Sequence, residues 1–138
     1  VQKTETKFLG LIVDNKLLWH SHISNLCKKM SSVCFIIRVL RNTVTADTLR
    51  LVYFGLFQFV VSYGLRFWGA SSSVDSLFKV QKRAVRCMEG VHQTHPCKQL
   101  FQKNNILPLP CLYIQHLLLH IYQNINQITK TRKSMNII

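Results

Sequence analysis

Acidic residues are scarce in this sequence. It has 5 Asp and Glu against 18 Lys and Arg in 138 residues, which gives a formal net charge of +13 at pH 7. No two acids are adjacent or at helical i,i+3 or i,i+4 spacing, so paired carboxylates for acid–base catalysis or a two-metal site are not visible. We therefore predict no catalytic residue and no metal site. The excess of positive charge favours a polyanionic partner, either nucleic acid or an anionic membrane surface.

Sequence signatures of common enzyme classes are also missing. The chain has no Walker A sequence, no Gly-rich dinucleotide fingerprint and no Gly-x-Ser-x-Gly elbow. His116 and His120 have the spacing of a helical zinc pair, but the Glu of the metalloprotease motif is absent, and we interpret them as polar-face residues. We predict no cofactor for this chain. The set of residues nearest to a metal site has spacings that fit no zinc pattern: Cys87, His92, His95 and Cys97.

Long hydrophobic runs and secretory features are absent as well. The uncharged run Leu51–Leu65 is shorter than the roughly 20 residues of a membrane helix, and we predict a buried core helix there and no membrane span. An odd number of cysteines, five, without a signal peptide favours reduced thiols in an intracellular protein, nuclear or cytoplasmic. Because the chain begins at Val1 without an initiator Met, we expect it to be part of a longer protein.

Apolar residues make up 48% of the chain, enough for one domain with a core. Their periodicity predicts a mainly α fold, a bundle of about five helices preceded by one short β-strand or hairpin. The strand covers residues 7–13, and its unbroken apolar run predicts burial on both sides. Besides the basic helix described below, the predicted helices run from the cap Ser21 to about Arg41, from Ala46 (capped by Thr45) to about Val61, from Pro96 to about Asn104 and from Cys111 to about Gln127.

The apolar patterns of three helices predict which of their sides face the core. The Ala46–Val61 helix is apolar all round after Arg50, as is typical of a central helix. The second half of the first helix has apolar residues on two faces, and we expect both to be covered. The tail from Thr129 is expected to fray. In the last helix, one apolar stripe predicts the core-facing side: Ile114, Leu117, Leu118, Ile121, Tyr122, Ile125 and Ile128.

The segment between Ser72 and Gly90 predicts a helix with one basic face. Ser72 and Asp75 form a capping-box pattern, and Gly90 is a natural residue to follow a helix. An apolar face interrupted only by Gln81 lies opposite the basic one. Such a face is often simply solvated, and binding of phosphate is the alternative. At about 100° per residue, four cations fall within roughly one third of the circle: Lys79, Lys82, Arg83 and Arg86.

A second basic pair on the first helix shifts the balance towards nucleic acid. Helical modules with separate basic faces commonly hold a duplex through its phosphates without reading sequence. The candidate nucleic-acid-binding residues are therefore Lys28, Lys29, Lys79, Lys82, Arg83 and Arg86. Several aromatic residues interleave with them, and because each lies in an apolar run we expect core positions and not base-stacking platforms: Phe35, Tyr53, Tyr63, Phe67 and Trp68.

The order of short segments along the chain resembles a known family. The series is Lys7-Phe8-Leu9-Gly10-Leu11-Ile12-Val13-Asp14, Leu17-Leu18-Trp19, His22-Ile23, Leu40-Arg41, Tyr63-Gly64 with Trp68-Gly69, Leu77-Phe78-Lys79-Val80-Gln81-Lys82-Arg83-Ala84-Val85-Arg86, Leu100-Phe101 and Ile106-Leu107. Over about residues 3–125 this order resembles the C-terminal part of reverse transcriptases from non-LTR (LINE-type) retrotransposons, especially the jockey-like elements. The ordered series carries the resemblance, since no single motif is decisive.

The resemblance implies a role for each part of the chain. Residues 1–19 correspond to the primer-grip strand at the edge of a palm, residues 20–128 to a helical thumb-like domain and residues 129–138 to a basic and apolar tail. Phe8, Leu9 and Gly10 are implied to lie near the primer end. The paired Asp of the polymerase signature is absent, so the chain is expected to bind the template–primer duplex without polymerising. Mg²⁺, the palm and the fingers then belong to the full-length polymerase.

Two alternatives do not depend on this resemblance. In the first alternative, the chain is a basic helical interaction protein that binds acidic partners or an anionic membrane surface. In the second, it is a decayed reading frame without a function of its own. Stronger binding to anionic vesicles than to nucleic acid at equal salt favours the interaction protein.

Overall fold

The chain folds as an N-terminal hairpin followed by helices. Our computed structural model describes residues 4–135. β1 (Glu5–Phe8) pairs antiparallel with β2 (Leu11–Asp14). Helices account for 69% of the structure and strands for 6%, which confirms the predicted mainly α fold. The helices are α1 (His20–Leu40), α2 (Ala46–Val52), α3 (Phe59–Ser62), α4 (Leu65–Trp68), α5 (Val74–Glu89), α6 (Lys98–Lys103) and α7 (Leu109–Met135), and a π-helical stretch (Tyr53–Gln58) joins α2 to α3.

The N-terminal segment is a hairpin, which is one of the two predicted possibilities, and residues 7–13 do not form one continuous strand. Leu9 and Gly10 form its two-residue turn, with φ angles of 48° and 82°. Positive φ at both positions is the geometry that matches the twist of a β-hairpin. Burial on both sides is also wrong, because β1 is exposed along its whole length and only Leu11 of β2 is buried.

Asp14 organises the loop between the hairpin and α1. Its carboxylate accepts backbone N–H bonds from Lys16, Leu18 (both 3.0 Å) and Trp19 (2.7 Å). The bond from Leu18, together with those from Trp19 and Lys16, lowers the pKa of Asp14 below its usual value. These bonds stabilise a loop in which Leu17 and Trp19 have φ angles of 54° and 66°, the strained left-handed region for non-glycine residues.

The start of α1 differs from the predicted one. The helix begins at His20, and Trp19 precedes it in place of the predicted cap Ser21. The Ser21 hydroxyl donates instead to the Glu5 carboxylate of β1. The predicted cap of the next helix is confirmed, since Thr45 Oγ1 accepts from the Thr48 N–H at 3.3 Å.

The helical run from Ala46 to Ser62 buries one face only. Its buried residues lie four apart: Leu49, Tyr53, Phe57 and Val61. A π-helix has more residues per turn than an α-helix, so the π-helical stretch keeps residues at this spacing on the same side. The side chains of Leu51 and Phe59 are 69% and 76% exposed, so the predicted all-round burial is wrong. No segment within residues 4–135 covers that side.

The core lies between α1 and α5, which pack side by side, and the helical run that follows α1. Tyr53 and Trp68 are its largest fully buried side chains. Gln81 of α5 is buried among them, and its side-chain amide bonds Tyr53 Oη (3.0 Å), the Leu107 carbonyl (2.9 Å) and the Leu109 N–H (2.7 Å). One buried amide therefore joins α5, the π-helical stretch and the start of α7.

The ends of α5 are only partly as predicted. Gly90 follows the helix with a φ of 67°, which confirms its predicted position. The Ser72–Asp75 capping box is wrong, because the helix begins at Val74 and no side-chain bond caps it. The short α6 likewise begins at Lys98, two residues after the predicted first residue, Pro96.

The last helix, α7, contradicts its predicted orientation. It begins at Leu109, so Pro110 lies in the first turn, where its missing N–H costs no hydrogen bond. Only Leu109 and Leu112 are buried within its described length. It also remains helical past Thr129, where fraying is predicted. The apolar side chains predicted to face the core are 50% to 76% exposed, apart from the half-buried Leu117: Ile114, Leu118, Ile121, Tyr122, Ile125 and Ile128.

Candidate nucleic-acid interface

The predicted division of α5 into two faces is confirmed. Its apolar residues are buried against α1 and the helical run, and Gln81 is buried with them. The four cations point the other way, with Lys79 exposed and the other three half-buried: Lys82, Arg83 and Arg86. Half-burial of long basic side chains is typical when their aliphatic stems cover apolar surface and their charged ends reach water.

Three of these cations are positioned by specific contacts. Arg83 Nη2 donates to Ser31 Oγ of α1 at 2.5 Å, and Arg86 Nε donates to the His95 carbonyl at 2.9 Å. Lys82 Nζ lies 4.3 Å from the ring centroid of Phe78, a cation–π distance. The basic face is therefore partly preorganised, and it extends in two directions, towards α1 and towards α6.

A basic cavity lies between the C-terminal end of α1 and α5. Its volume is about 460 Å³, and five of its lining residues are cations: Arg38, Arg41, Lys79, Arg83 and Arg86. None of the described residues that line it is acidic. Guanidinium groups form paired hydrogen bonds with phosphate oxygens, and a group of four arginines and a lysine suits a phosphate. We call this site the basic cavity.

Arg38 and Arg41 are the residues that the sequence reasoning missed. They lie in the last turns of α1, and the packing of α1 against α5 brings them to the basic cavity. The available signal was their i,i+3 spacing, which puts both on one side of the helix. Gly90 makes room for Arg41, because a Cβ atom at this glycine would lie 2.0 Å from the Arg41 guanidinium.

Acidic residues do not neutralise the basic cavity. Over residues 4–135 the structure contains a single ion pair, between Lys103 Nζ and Glu89 Oε2 at 2.5 Å. Burial opposes ionisation of Glu89, yet hydrogen bonds from Lys103 and Asn104 lower the pKa of this carboxyl overall. Glu89 therefore pairs with residues at the end of α6 and does not line the basic cavity. The cavity retains a concentrated positive charge, which attracts anions most strongly at low salt.

A second cavity lies on the α6 side of the basic face. Its volume is about 920 Å³, and it combines three cations, Lys82, Arg86 and Lys98, with the aromatic rings of Phe78 and Phe101. The two ring centroids lie 6.3 Å apart. Arg86 lines both cavities and links them into one basic surface.

The two lysines predicted on α1 lie apart from this surface. Lys28 and Lys29 are both exposed, and neither lines the basic cavity. Lys28 is ten residues before Arg38, which corresponds to about 15 Å along the helix. Lys29 instead lines a small cavity beside the buried His22, whose pKa is lowered by burial and by the charge of Lys29. The structure therefore brings together four of the six predicted residues.

The predicted primer-grip residues lie at the turn of the hairpin. Phe8 and Leu9 are 63% and 72% exposed, and Gly10 completes the turn. Tyr63 Oη donates to the Leu9 carbonyl at 2.5 Å, so the segment after α3 holds the turn in place. Phe8 and Leu9 line an apolar cavity of about 550 Å³ together with Tyr63.

The aromatic residues predicted to be core divide into two groups. Tyr53 and Trp68 are fully buried, as predicted. Phe35, Tyr63 and Phe67 are more than half exposed, so that prediction is wrong for them. Phe35 lies with Ile36 and Val39 on an outer face of α1 that no segment within residues 4–135 covers, because the chain uses the opposite face of α1 for the core.

The histidines and cysteines show no metal-like arrangement in the part of the chain that the structure describes. No group of three or more His, Cys, Asp or Glu side chains comes together there. The His95 carbonyl is used by Arg86, and His120 contacts the Arg66 guanidinium of α4. Burial, aided by Arg66, lowers the pKa of His116. Within residues 4–135, no helix has the length and hydrophobicity needed to cross a membrane.

Comparisons with protein-family models, with curated proteins and with solved structures found no match to this chain. The reverse transcriptase resemblance therefore stays a prediction from the order of its sequence segments.

Proposed function

We propose that this chain binds the phosphate backbone of a nucleic-acid duplex through the basic cavity, without reading base sequence. The observation that carries the proposal is the convergence of five cations on one cavity that no described acid lines. Phosphate contacts of this kind supply most of the affinity of non-specific nucleic-acid binding. Sequence is read by hydrogen bonds to base edges, and the basic cavity offers a cradle for phosphates and no extended reading surface.

The hairpin and the basic cavity lie near opposite ends of α1. The Ile12 N–H bonds His22 Nδ1 near the start of α1, whereas Arg38 and Arg41 lie near its end. His22 and Arg38 are 16 residues apart, or about 24 Å along the helix. At 3.4 Å per base pair this distance spans about seven base pairs. We propose that the primer end lies near Phe8–Gly10 and that the basic cavity grips the duplex further along.

Duplex binding without catalysis is the role that we expect of a reverse transcriptase fragment that lacks its palm. We propose that the chain represents the primer-grip and thumb region of an RNA-directed DNA polymerase of the non-LTR retrotransposon type. The ordered sequence segments support this relationship. In the proposal the chain holds the template–primer duplex, and the metal-binding carboxylates for phosphoryl transfer belong to the missing palm.

The test measures the affinity of the chain for an RNA–DNA hybrid as a function of salt. Replacing the four α5 cations, Lys79, Lys82, Arg83 and Arg86, by Gln removes three cations from the basic cavity and Lys82 from the adjoining cavity on the α6 side. We expect weaker binding, and we expect the slope of log K against log salt to fall by about 3 to 4, since each phosphate contact contributes about 0.9 in a B-form duplex. Far-UV circular dichroism checks that the variant folds.

The matched control changes the same amount of charge elsewhere. Lys16, Lys130, Arg132 and Lys133 are all exposed and do not line the basic cavity, and we replace these four by Gln. A control variant that loses as much affinity and slope as the α5 variant contradicts the proposed site. Anionic vesicles form the second arm, and stronger binding to vesicles than to the hybrid at equal salt favours the basic interaction protein instead.

A further inference from the structure

The outward side of α7 is an apolar seam. Five branched side chains along it are 50% to 60% exposed: Ile114, Leu118, Ile121, Ile125 and Ile128. We call these five residues the outer stripe. The helix turns other residues towards the protein body, where Tyr113 approaches Gly69 and His120 contacts Arg66. The helix buries Leu109 and Leu112 at its start, and within residues 4–135 no segment covers the isoleucines of its outward side.

The spacing of the outer stripe favours a helix as the partner. Successive members are separated by four, three, four and three residues. This is the alternation of the two core positions of a heptad repeat, which packs side chains of one helix into holes on another. The stripe spans residues 114–128, which corresponds to about 21 Å along the helix, or two heptads.

The charge distribution favours a second copy of the same chain. The chain carries a net charge of +13, so most of its surface repels another copy. Residues 104–129 form an exception, since they contain no Asp, Glu, Lys or Arg. Two copies can therefore meet along this part of α7 without facing like charges. The uncharged positions that flank the stripe include Gln115, Tyr122 and Asn124.

We propose that the outer stripe is a self-association surface, through which α7 of one chain packs against α7 of a second copy. An apolar stripe of nearly identical side chains is self-complementary, as the shared patch of a two-fold interface must be. An acidic partner has no cation to pair with along the stripe. The proposal is independent of nucleic-acid binding, because the stripe and the basic cavity share no residue.

The test measures the mass of the full 138-residue chain by analytical ultracentrifugation up to about 100 μM, since association depends on concentration. We expect a mass of at least twice 16.1 kDa. Replacing Leu118 and Ile125 by Glu places like charges in the seam and is expected to give a monomer with unchanged helical content. A milder variant, Ile121→Ala with Ile125→Ala, guards against misfolding and is expected to weaken association at least tenfold.

The matched control places the same two charges on the other side of the same helix, with Gln123→Glu and Gln127→Glu. Both positions are exposed and lie off the outer stripe, and we expect this variant to associate as the wild type does. A wild-type chain that remains monomeric up to about 100 μM overturns the proposal. It is equally overturned if the Leu118 and Ile125 variants associate normally, or if a monomeric chain uses the stripe to bind anionic vesicles.

Discussion

Helices α5 and α7 each have an apolar side, and the surroundings of that side differ between them. In α5 the apolar residues face the core, and the cations Lys79 to Arg86 face outwards. In α7 the outer stripe faces outwards, and His116 is half-buried on the body side. The periodicity of a helix thus reveals that it has two faces, but the partner that covers the apolar face must be known separately. For α5 that partner lies within the described chain, and for α7 we propose a second copy.

The largest expected effects come from truncating one leucine on each helix. Leu77 of α5 is fully buried, and Leu77→Ala should lower the free energy of unfolding by about 2–5 kcal/mol. Leu118 of α7 is 60% exposed, and Leu118→Ala should change the free energy of unfolding by less than about 0.5 kcal/mol at low protein concentration. Urea unfolding measures both. If both variants lose the same free energy of unfolding at low protein concentration, the difference in burial between the apolar sides of α5 and α7 is contradicted.

The buried amide of α5 gives the next largest effect. Gln81→Leu preserves volume but leaves the Leu107 carbonyl and the Leu109 N–H without their bonds. Leaving such buried groups unpaired should cost about 2–3 kcal/mol in the free energy of unfolding. Amide hydrogen exchange should also increase at the start of α7, since Gln81 holds it. A Gln81→Leu variant with the same free energy of unfolding as the wild type contradicts the anchoring of α7 by this amide.

Gly90 follows α5 and leaves the space that the Arg41 guanidinium occupies beside the basic cavity. Gly90→Ala places a Cβ in the left-handed region and against the Arg41 guanidinium, and it should destabilise the fold by about 1–2 kcal/mol. Displacing Arg41 should also weaken hybrid binding. The control is Gly55→Ala, because a Cβ there meets no atom within 4 Å and helix propensity favours alanine. Equal effects at both glycines contradict this role of Gly90.

The smallest expected effect concerns Asp14, which belongs to neither helix. Its folded pKa lies below the usual value, so the ionised carboxylate stabilises the fold above the unfolded pKa, and this stabilisation is lost as pH falls through the folded pKa. Asp14→Asn should therefore be less stable than the wild type at pH 7, and the difference should shrink below about pH 4. Thermal unfolding across this range measures it. A difference that is independent of pH contradicts the proposed bonds.

Local signals in the sequence predicted the parts of the structure that depend on neighbouring residues. Thr45 caps its helix, Gly90 ends α5, and the cations of α5 share one face, because each of these features is encoded within a few residues. The hairpin was only one of two possibilities, since an unbroken apolar run does not reveal a Leu9–Gly10 turn.

Features that depend on long-range packing could not be predicted in the same way. Arg38 and Arg41 join the basic cavity only because α1 packs beside α5. Gln81 interrupts an apolar face and gives no sign of its three partners from other segments. The orientation of α7 depends on what covers its apolar side, and the periodicity of one helix carries no information about that.

The most direct test of the central claim uses Arg38 and Arg41, the wall of the basic cavity that α1 provides. Salt-dependent binding of an RNA–DNA hybrid is compared between the wild type, the double variant Arg38→Gln with Arg41→Gln, and a matched variant Lys130→Gln with Lys133→Gln. If α1 and α5 grip phosphates together, the slope of log K against log salt falls by about 2 for the arginine variant alone. An unchanged slope for that variant contradicts duplex binding in the basic cavity.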